Sequence, residues 1–412
     1  MKRLPLCLLL LCGAPAAAQI SLDGYRAEVA AYSLQLKIAA ARSDEAAETM
    51  ARARTGFLPR LSLEGSFEAT VRRIDDRERW TFDLMPRLVQ TLYGGGAVRA
   101  AWRDASLGYD IALCDEEFTR YEVRYAADYA YWNLSATRLY AASMREYVAL
   151  IRSLKEVVDR RFDEGYIAKG DVLMIDARLS EATYELFGAE QRAAVALHDF
   201  NVLRGSDPER EVRQGAGIRD TLPMPVRVSG GALSERRVDY TAALLAADRA
   251  EAGVRTARAA FDPQLNVGIG GMWRPYTPNR TGRTYVDGMV FVGVAVPIFH
   301  WGERRRAVGA ARAVLRQRRS AAEEVRDGIV REETNGWTAL VQTRAQVEAS
   351  ERNLRIAGEN LSLSTYSYGE GLTTILDVLQ AQLSWIQLYT NAIRARFNYA
   401  VAVSDYERIA QE

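Results

Sequence analysis

Residues 61–72 alternate in character. Leu61, Leu63, Phe67, Ala69 and Val71 are apolar, while Ser62, Glu64, Ser66, Glu68, Thr70 and Arg72 are polar. This two-residue period predicts a strand with one apolar and one wet face. After a polar turn at residues 75–79, Trp80, Phe82 and Leu84 alternate with Thr81 and Asp83 as the return strand. The second half repeats the pattern: Leu265, Val267, Ile269 and Trp273 form one face, and Val290, Val292, Val294 and Val296 form another, across a turn at residues 275–283. The expected hairpins occupy residues 59–92 and 263–298. A ten-residue strand rises ~33 Å and, tilted by about 40°, covers the roughly 25 Å apolar band of a bacterial outer membrane. Trp80, Trp273, Tyr276 and Tyr285 lie near the turns, where an aromatic girdle would fall. The competing reading of such strands is the face of a soluble β-sandwich. Four strands cannot close a membrane barrel, and an open edge in lipid costs several kcal/mol for each unpaired backbone group. A membrane barrel would have to be shared between chains; two copies supply eight strands and three supply twelve, and the period does not choose.

The remainder has a helical period. Residues 97–162 contain no proline, and a continuous helix of about 65 residues would be ~100 Å long. Leu372, Leu379, Ile386 and Ile393 fall seven apart, with Leu383 and Phe397 on the intermediate seam; Val347, Leu354, Leu361 and Tyr368 do the same in the preceding helix. Heptads sustained in this way predict helices packed side by side like coiled coils.

The chain is written twice. Phe57-Leu58-Pro59-Arg60-Leu61 recurs as Phe261-Asp262-Pro263-Gln264-Leu265, and Leu92-Tyr93-Gly94-Gly95 is echoed by Phe299-His300-Trp301-Gly302. Arg161-Phe162-Asp163-Glu164-Gly165, followed by Asp171-Val172-Leu173, matches Tyr366-Ser367-Tyr368-Gly369-Glu370-Gly371, followed by Asp377-Val378-Leu379. Landmarks in one order at offsets of about 205 mark a duplication. Repeats over residues 19–205 and 231–412 flank a linker at 206–230, where Pro208, Pro223 and Pro225 preclude a long helix but leave room for a small element.

Composition adds the compartment. Lys2 and Arg3, an apolar run at residues 4–11 and Ala16-Ala17-Ala18 make residues 1–18 a secretory signal peptide with cleavage before Gln19. Its apolar run of about eight residues is far short of the roughly twenty of a membrane-spanning helix. Cys12 before Gly13 raises a lipid anchor, but Leu11 stands where a lipoprotein signal has a small residue. With Cys7 and Cys12 gone, Cys114 remains alone and cannot form an intramolecular disulfide. Cleavage also leaves 52 basic against 53 acidic residues, which gives no sign of a nucleic-acid surface.

The order helix, hairpin, long helix, glycine tip and helix, repeated behind a signal peptide, resembles the TolC-like outer-membrane efflux protein family. The paired Gly-x5-Asp-Val-Leu and Phe-x-Pro segments are the specific pieces, and the likeness covers nearly all of the mature chain. The resemblance implies a mainly α fold with a β-barrel part. Long antiparallel helices form an α-barrel, and each protomer gives four strands to a shared trimeric barrel. It implies an exit duct of a tripartite efflux or type I secretion system in the outer membrane, extending into the periplasm. The implied partners are two further copies of the chain, outer-membrane lipid, a periplasmic adaptor and an inner-membrane pump of RND, ABC or MFS type. By the same resemblance, Gly165, Tyr166, Ile167, Gly371, Leu372 and Thr373 are adaptor-docking tips, and Asp171, Tyr368, Thr373, Asp377 and Gln380 line a pore constriction. Thr373 and Gln380 depart from the family's pattern, where an arginine and a second acidic residue occur, so the closed state would be looser or locked by other contacts. The elaboration that larger relatives build after their last helix is expected to be absent. From the residues alone, the glycines read equally well as helix C-caps and the two aspartates as first-turn helix carboxylates.

Other functions find little support. His198 and His300 are far apart, and the sequence has no Cys/His metal spacing, phosphate loop or nucleophile elbow. It therefore offers neither catalytic residues nor a cofactor or metal site. The alternative from a different class is a periplasmic coiled-coil structural or adaptor protein.

Overall fold

The computed structural model describes residues 19–69, 71, 80–220, 222–274 and 285–411. The first repeat runs α1 (Leu22–Tyr32), α2 (Leu34–Arg54), β1 (Arg60–Ala69), β2 (Trp80–Gly94), α3 (Ala97–Asp163) and α4 (Lys169–Leu203). The second runs α5 (Gly230–Arg236), α6 (Val238–Ala259), β3 (Gln264–Arg274), β4 (Tyr285–Ala295), α7 (Glu303–Gly369) and α8 (Ile375–Ala410). α3 and α7 have 67 residues each. No described helix is long and apolar enough to cross a membrane. The predicted signal peptide, Tyr276 and most of both hairpin turns lie outside the described residues.

Two compact units divide the chain: Ile38–Phe118 with Ser234–Gly328, and Met1–Lys37 with Thr119–Leu233 and Ile329–Glu412. The first holds the strands. They form one antiparallel sheet in the order β1-β2-β3-β4, so the two predicted hairpins are joined by a β2–β3 pairing that periodicity alone did not specify. Each hairpin leads into its long helix through two residues with left-handed backbone: Gly95 (φ 60°) and Gly96 (φ 82°) before α3, Trp301 (φ 49°) and Gly302 (φ 79°) before α7. The turn therefore aligns Trp301 with Gly95, one residue from the sequence pairing of Trp301 with Gly94. A Cβ on Gly95 would lie 2.6 Å from Asp262 Cβ, so glycine is required there for space as well as for angle.

The second unit is built on the seams of α3, α4, α7 and α8. Ile151, Leu154 and Val158 of α3 pack with Ile175, Ala182 and Ala189 of α4 and with Val378, Leu379 and Ile386 of α8. Leu340 and Val347 of α7 pack with Ala395, Tyr399 and Val403 of α8. The heptad positions Leu379, Ile386, Ile393, Val347 and Tyr368 are buried as the period predicts. Leu372 is not: it precedes α8 in the turn, with 77% of its surface exposed. α1 is clamped by Arg26, whose guanidinium donates to both oxygens of Asp128 at 2.6 Å. Because the Asp128 side chain is 2% exposed, removing its partner would cost about 3–5 kcal/mol.

The linker is a packed belt. Arg138 donates to Val212 O at 2.7 Å, Ile218 N to Ser135 Oγ at 2.9 Å, Tyr399 Oη to Leu222 O at 3.1 Å and Val228 N to Tyr406 Oη at 3.1 Å. Arg227 then pairs with Glu333 at 3.0 Å. Residues 212–228 thus cross α3, α8 and α7 in turn, which exchanges the orphan polar groups of an irregular segment for side-chain partners.

Candidate functional site

The sheet register sorts its side chains. Leu61 faces Leu88, Leu63 faces Pro86 and Phe67 faces Phe82 across β1–β2; Leu88 faces Ile269 and Leu84 faces Trp273 across β2–β3. Ile269 faces Val290, Val267 faces Val292 and Leu265 faces Val294 across β3–β4. Paired residues point to the same side of a sheet, so the two apolar faces expected in the second hairpin are one face, continuous over all four strands. Val296 lies just beyond β4. Leu61, Phe67, Ile269, Val290, Val292 and Val294 are all exposed. The opposite side carries Ser62, Glu64, Asp83, Arg87, Gln264, Asn266 and Asp287, interrupted by Met85, Val89, Met272, Met289 and Phe291, with Glu64 and Arg87 ion-paired at 3.9 Å. Trp273 is on the apolar side at the hairpin end of β3. Trp80 and Tyr285 begin β2 and β4, and their side chains lie outside the described residues.

Both helix tips close in the same way. Gly165 (φ 80°) donates to Phe162 O at 2.9 Å and Tyr166 N to Arg161 O at 2.8 Å; Gly371 (φ 76°) donates to Tyr368 O at 3.0 Å and Leu372 N to Ser367 O at 2.8 Å. These are glycine-terminated helix ends in which positive φ lets the next amide reach back to orphan carbonyls. Tyr166 and Leu372, the residues that follow, are 78% and 77% exposed. Ile167 is half-buried.

The five expected constriction residues sit in different settings. Asp377 is exposed, and its Oδ2 accepts from Thr373 Oγ1 at 2.5 Å, Thr374 Oγ1 at 2.7 Å and Thr374 N at 3.0 Å. It is thus the third residue of α8 bonded back to the helix cap, a role its Thr-x-x-Asp spacing encodes. Asp171 occupies the same position in α4, but Ala168 replaces the threonine and no side chain caps that helix. Tyr368 is 5% exposed, and its hydroxyl has no hydrogen-bond partner among the described residues. Arg161 lies over its ring at 4.6 Å and donates to Gly369 O at 2.8 Å, tying the end of α3 to the end of α7. The sequence motif contained Arg161 without revealing this contact, because its partner is 208 residues away. Gln380 is exposed one turn beyond Asp377.

Hydrogen bonds from Thr373 and then Thr374 lower the Asp377 pKa from 3.8 to about 2. A carboxylate depressed on folding stabilises above its unfolded pKa and loses that contribution as pH falls through the folded value. The start of α8 should therefore loosen as the pH drops from about 4 to about 2. Hydrogen-exchange mass spectrometry should show protection of residues 372–380 falling across that window in the wild type and flat in Asp377→Asn. Equal pH dependence in both would contradict the capping role.

Comparison with known proteins bears on the whole chain. The profile of the outer membrane efflux protein family matches residues 26–205 and 231–405. Outer membrane efflux protein BepC of Brucella suis is 23% identical over 291 residues, which cover 70% of this chain and 62% of BepC, less than two thirds of that relative's length. Two crystal structures share the fold: CusC with a TM-score of 0.85 at 16% identity, covering 95% of this chain and 92% of that one, and VceC of Vibrio cholerae with a TM-score of 0.81 at 19% identity, covering 94% and 95%. The two profile segments account for most of the sequence, and the chain belongs to the outer membrane efflux protein family.

Proposed function

We propose that this chain is one protomer of an outer-membrane exit duct: a passive conduit that extends into the periplasm and completes a tripartite efflux or type I secretion system. The observation that carries this reading is the sheet, with a largely exposed apolar face broken only by Gln90 among its described strand side chains and two outer strands lacking neighbours among the described residues. Lipid suits the face, and further copies of the chain suit the edges. Three copies give a twelve-stranded barrel with β4 of each paired to β1 of the next, a head-to-tail contact that closes on itself. Trp273, exposed on the apolar side, supplies the girdle at the hairpin end together with Trp80, which pairs with Ala69 on that same side, whereas the register pairs Tyr285 with Arg274 on the polar side. Native mass spectrometry in mild detergent should give a trimer; a monomer or dimer that retains its secondary structure would contradict the shared barrel.

The tips at Gly165, Tyr166 and Ile167 and at Gly371, Leu372 and Thr373 serve as docking points for a periplasmic adaptor, which links the duct to an inner-membrane pump of RND, ABC or MFS type. Their identical closure and the exposed Tyr166 and Leu372 favour this. No atom lies within 4 Å of a Cβ built on either glycine, so a larger residue there strains the backbone locally without a clash. Asp171, Thr373, Asp377 and Gln380 line the constriction and the buried Tyr368, covered by Arg161, braces it; there Asp377 stays ionised and favours cations. The Asp377→Asn channel should accordingly lose cation preference in planar bilayers. Gly165→Leu and Gly371→Leu should cut efflux while the trimer still inserts, and Tyr166→Asp with Leu372→Asp should do so without backbone strain; normal export from both sets would remove the docking assignment.

A further inference from the structure

A groove of about 510 Å³ runs between α4 and α8, with α3 as its floor. Its floor is Tyr140, Met144 and Tyr147; one wall is Arg178, Glu181, Ala182 and Glu185, and the other includes Leu383, Ile386, Gln387, Thr390, Asn391 and Arg394. This volume falls in the range of drug-sized ligand sites, which pair an apolar lining with a few polar groups. Tyr147 is 4% exposed, and its hydroxyl has no hydrogen-bond partner among the described residues. Arg178 is already paired with Glu181 at 2.7 Å. Glu185 and Arg394, on opposite walls, are exposed and make no ion pair among the described residues.

The side on which this groove opens follows from the belt. The belt holds α3 at Tyr131, Ser135 and Arg138 and α8 at Tyr399 and Tyr406. At 3.6 residues per turn, those positions are roughly 180° around α3 from Tyr140, Met144 and Tyr147, and roughly 180° around α8 from Leu383, Ile386 and Thr390. α1 lies on the belt side as well, since Tyr25 packs against Tyr131 and Phe200. Three belts and three α1 helices inside a tube would obstruct it, so they belong outside and the groove faces the lumen.

We infer that the groove is a lumenal resting site for drug-sized zwitterionic amphiphiles, with the cationic group at Glu185, the anionic group at Arg394 and the apolar body over the half-exposed Tyr140 and Leu383. Solute then dwells in the duct rather than passing a featureless wall. The inference rests on the exit-duct reading and names the solute chemistry its wall favours.

Single-channel recordings in planar bilayers test it with ciprofloxacin, a zwitterion at neutral pH, and its ethyl ester, which keeps only the cation. An ion pair at an exposed wall is worth at most ~1 kcal/mol, so each lost pair should shorten dwell time by up to about fivefold. Glu185→Gln should shorten the dwell of both probes, and Arg394→Gln only that of ciprofloxacin. In a Cys114→Ser background, Glu185→Cys labelled with anionic methanethiosulfonate ethylsulfonate should change the unitary conductance. Equal dwell times in wild type and variants, or complete labelling without a conductance change, would overturn the inference alone. A wild-type trimer that passes no current would overturn the exit-duct reading itself.

Discussion

The structure turns on unpaired backbone at the two edges of a four-stranded sheet. Along β1 and β4 about half of the N–H and C=O groups point away from their single neighbour, roughly five of each kind per edge. In water these groups are solvated; in hydrocarbon each unpaired group costs several kcal/mol. The exposed row of Leu61, Phe67, Ile269, Val290, Val292 and Val294 suits hydrocarbon, whereas the edges require partners. An edge strand from another copy satisfies both demands, which makes assembly a condition of membrane residence rather than a later event. A soluble sheet of four strands has no need to place a row of large aliphatic side chains on its exposed surface.

Duplication supplied the parts, and divergence altered how they are held. Both tips end in glycine with nearly the same φ and the same pair of returning amides. The helices that follow differ: α8 starts on a threonine cap bonded to Asp377, while α4 starts on Ala168. At the end of α7, Arg161 of the other repeat takes the last carbonyl and covers the Tyr368 ring. It leaves the Tyr368 hydroxyl buried and unpartnered, a state that costs about 1–3 kcal/mol. The two helix ends are thus held by a threonine-capped carboxylate at the start of α8 and an arginine clasp at the end of α7.

Much of this was legible in the sequence because periodicity reports local geometry. The strand faces, the 67-residue helices and the glycine tips follow from alternation, heptads and αL-competent residues. Pairings between distant segments left no such trace. Periodicity could assign Val290, Val292 and Val294 to a face, but only the register shows it to be the face of Ile269. The proline-rich stretch at 206–230 predicted a break in helix and not a belt, since its partners Tyr131, Ser135, Tyr399 and Tyr406 are ordinary helix residues. The left-handed Trp301 was hidden because it fits its neighbours' pattern while its backbone does not, and Leu372 carried both a heptad and a tip assignment, of which the structure keeps the tip. Asp377 carried two readings from the start; the capping geometry is what the structure adds.

The central claim is that the sheet meets lipid on one face and water on the other. Site-directed spin labelling along β4 in the reconstituted protein measures this residue by residue, through collision with dissolved oxygen and with a polar nickel chelate. The account predicts a two-residue alternation, with labels at Val290, Val292 and Val294 favouring oxygen and labels at Met289, Phe291 and Gly293 favouring nickel. Uniform access of the nickel chelate to all six positions, or the opposite alternation, would contradict it.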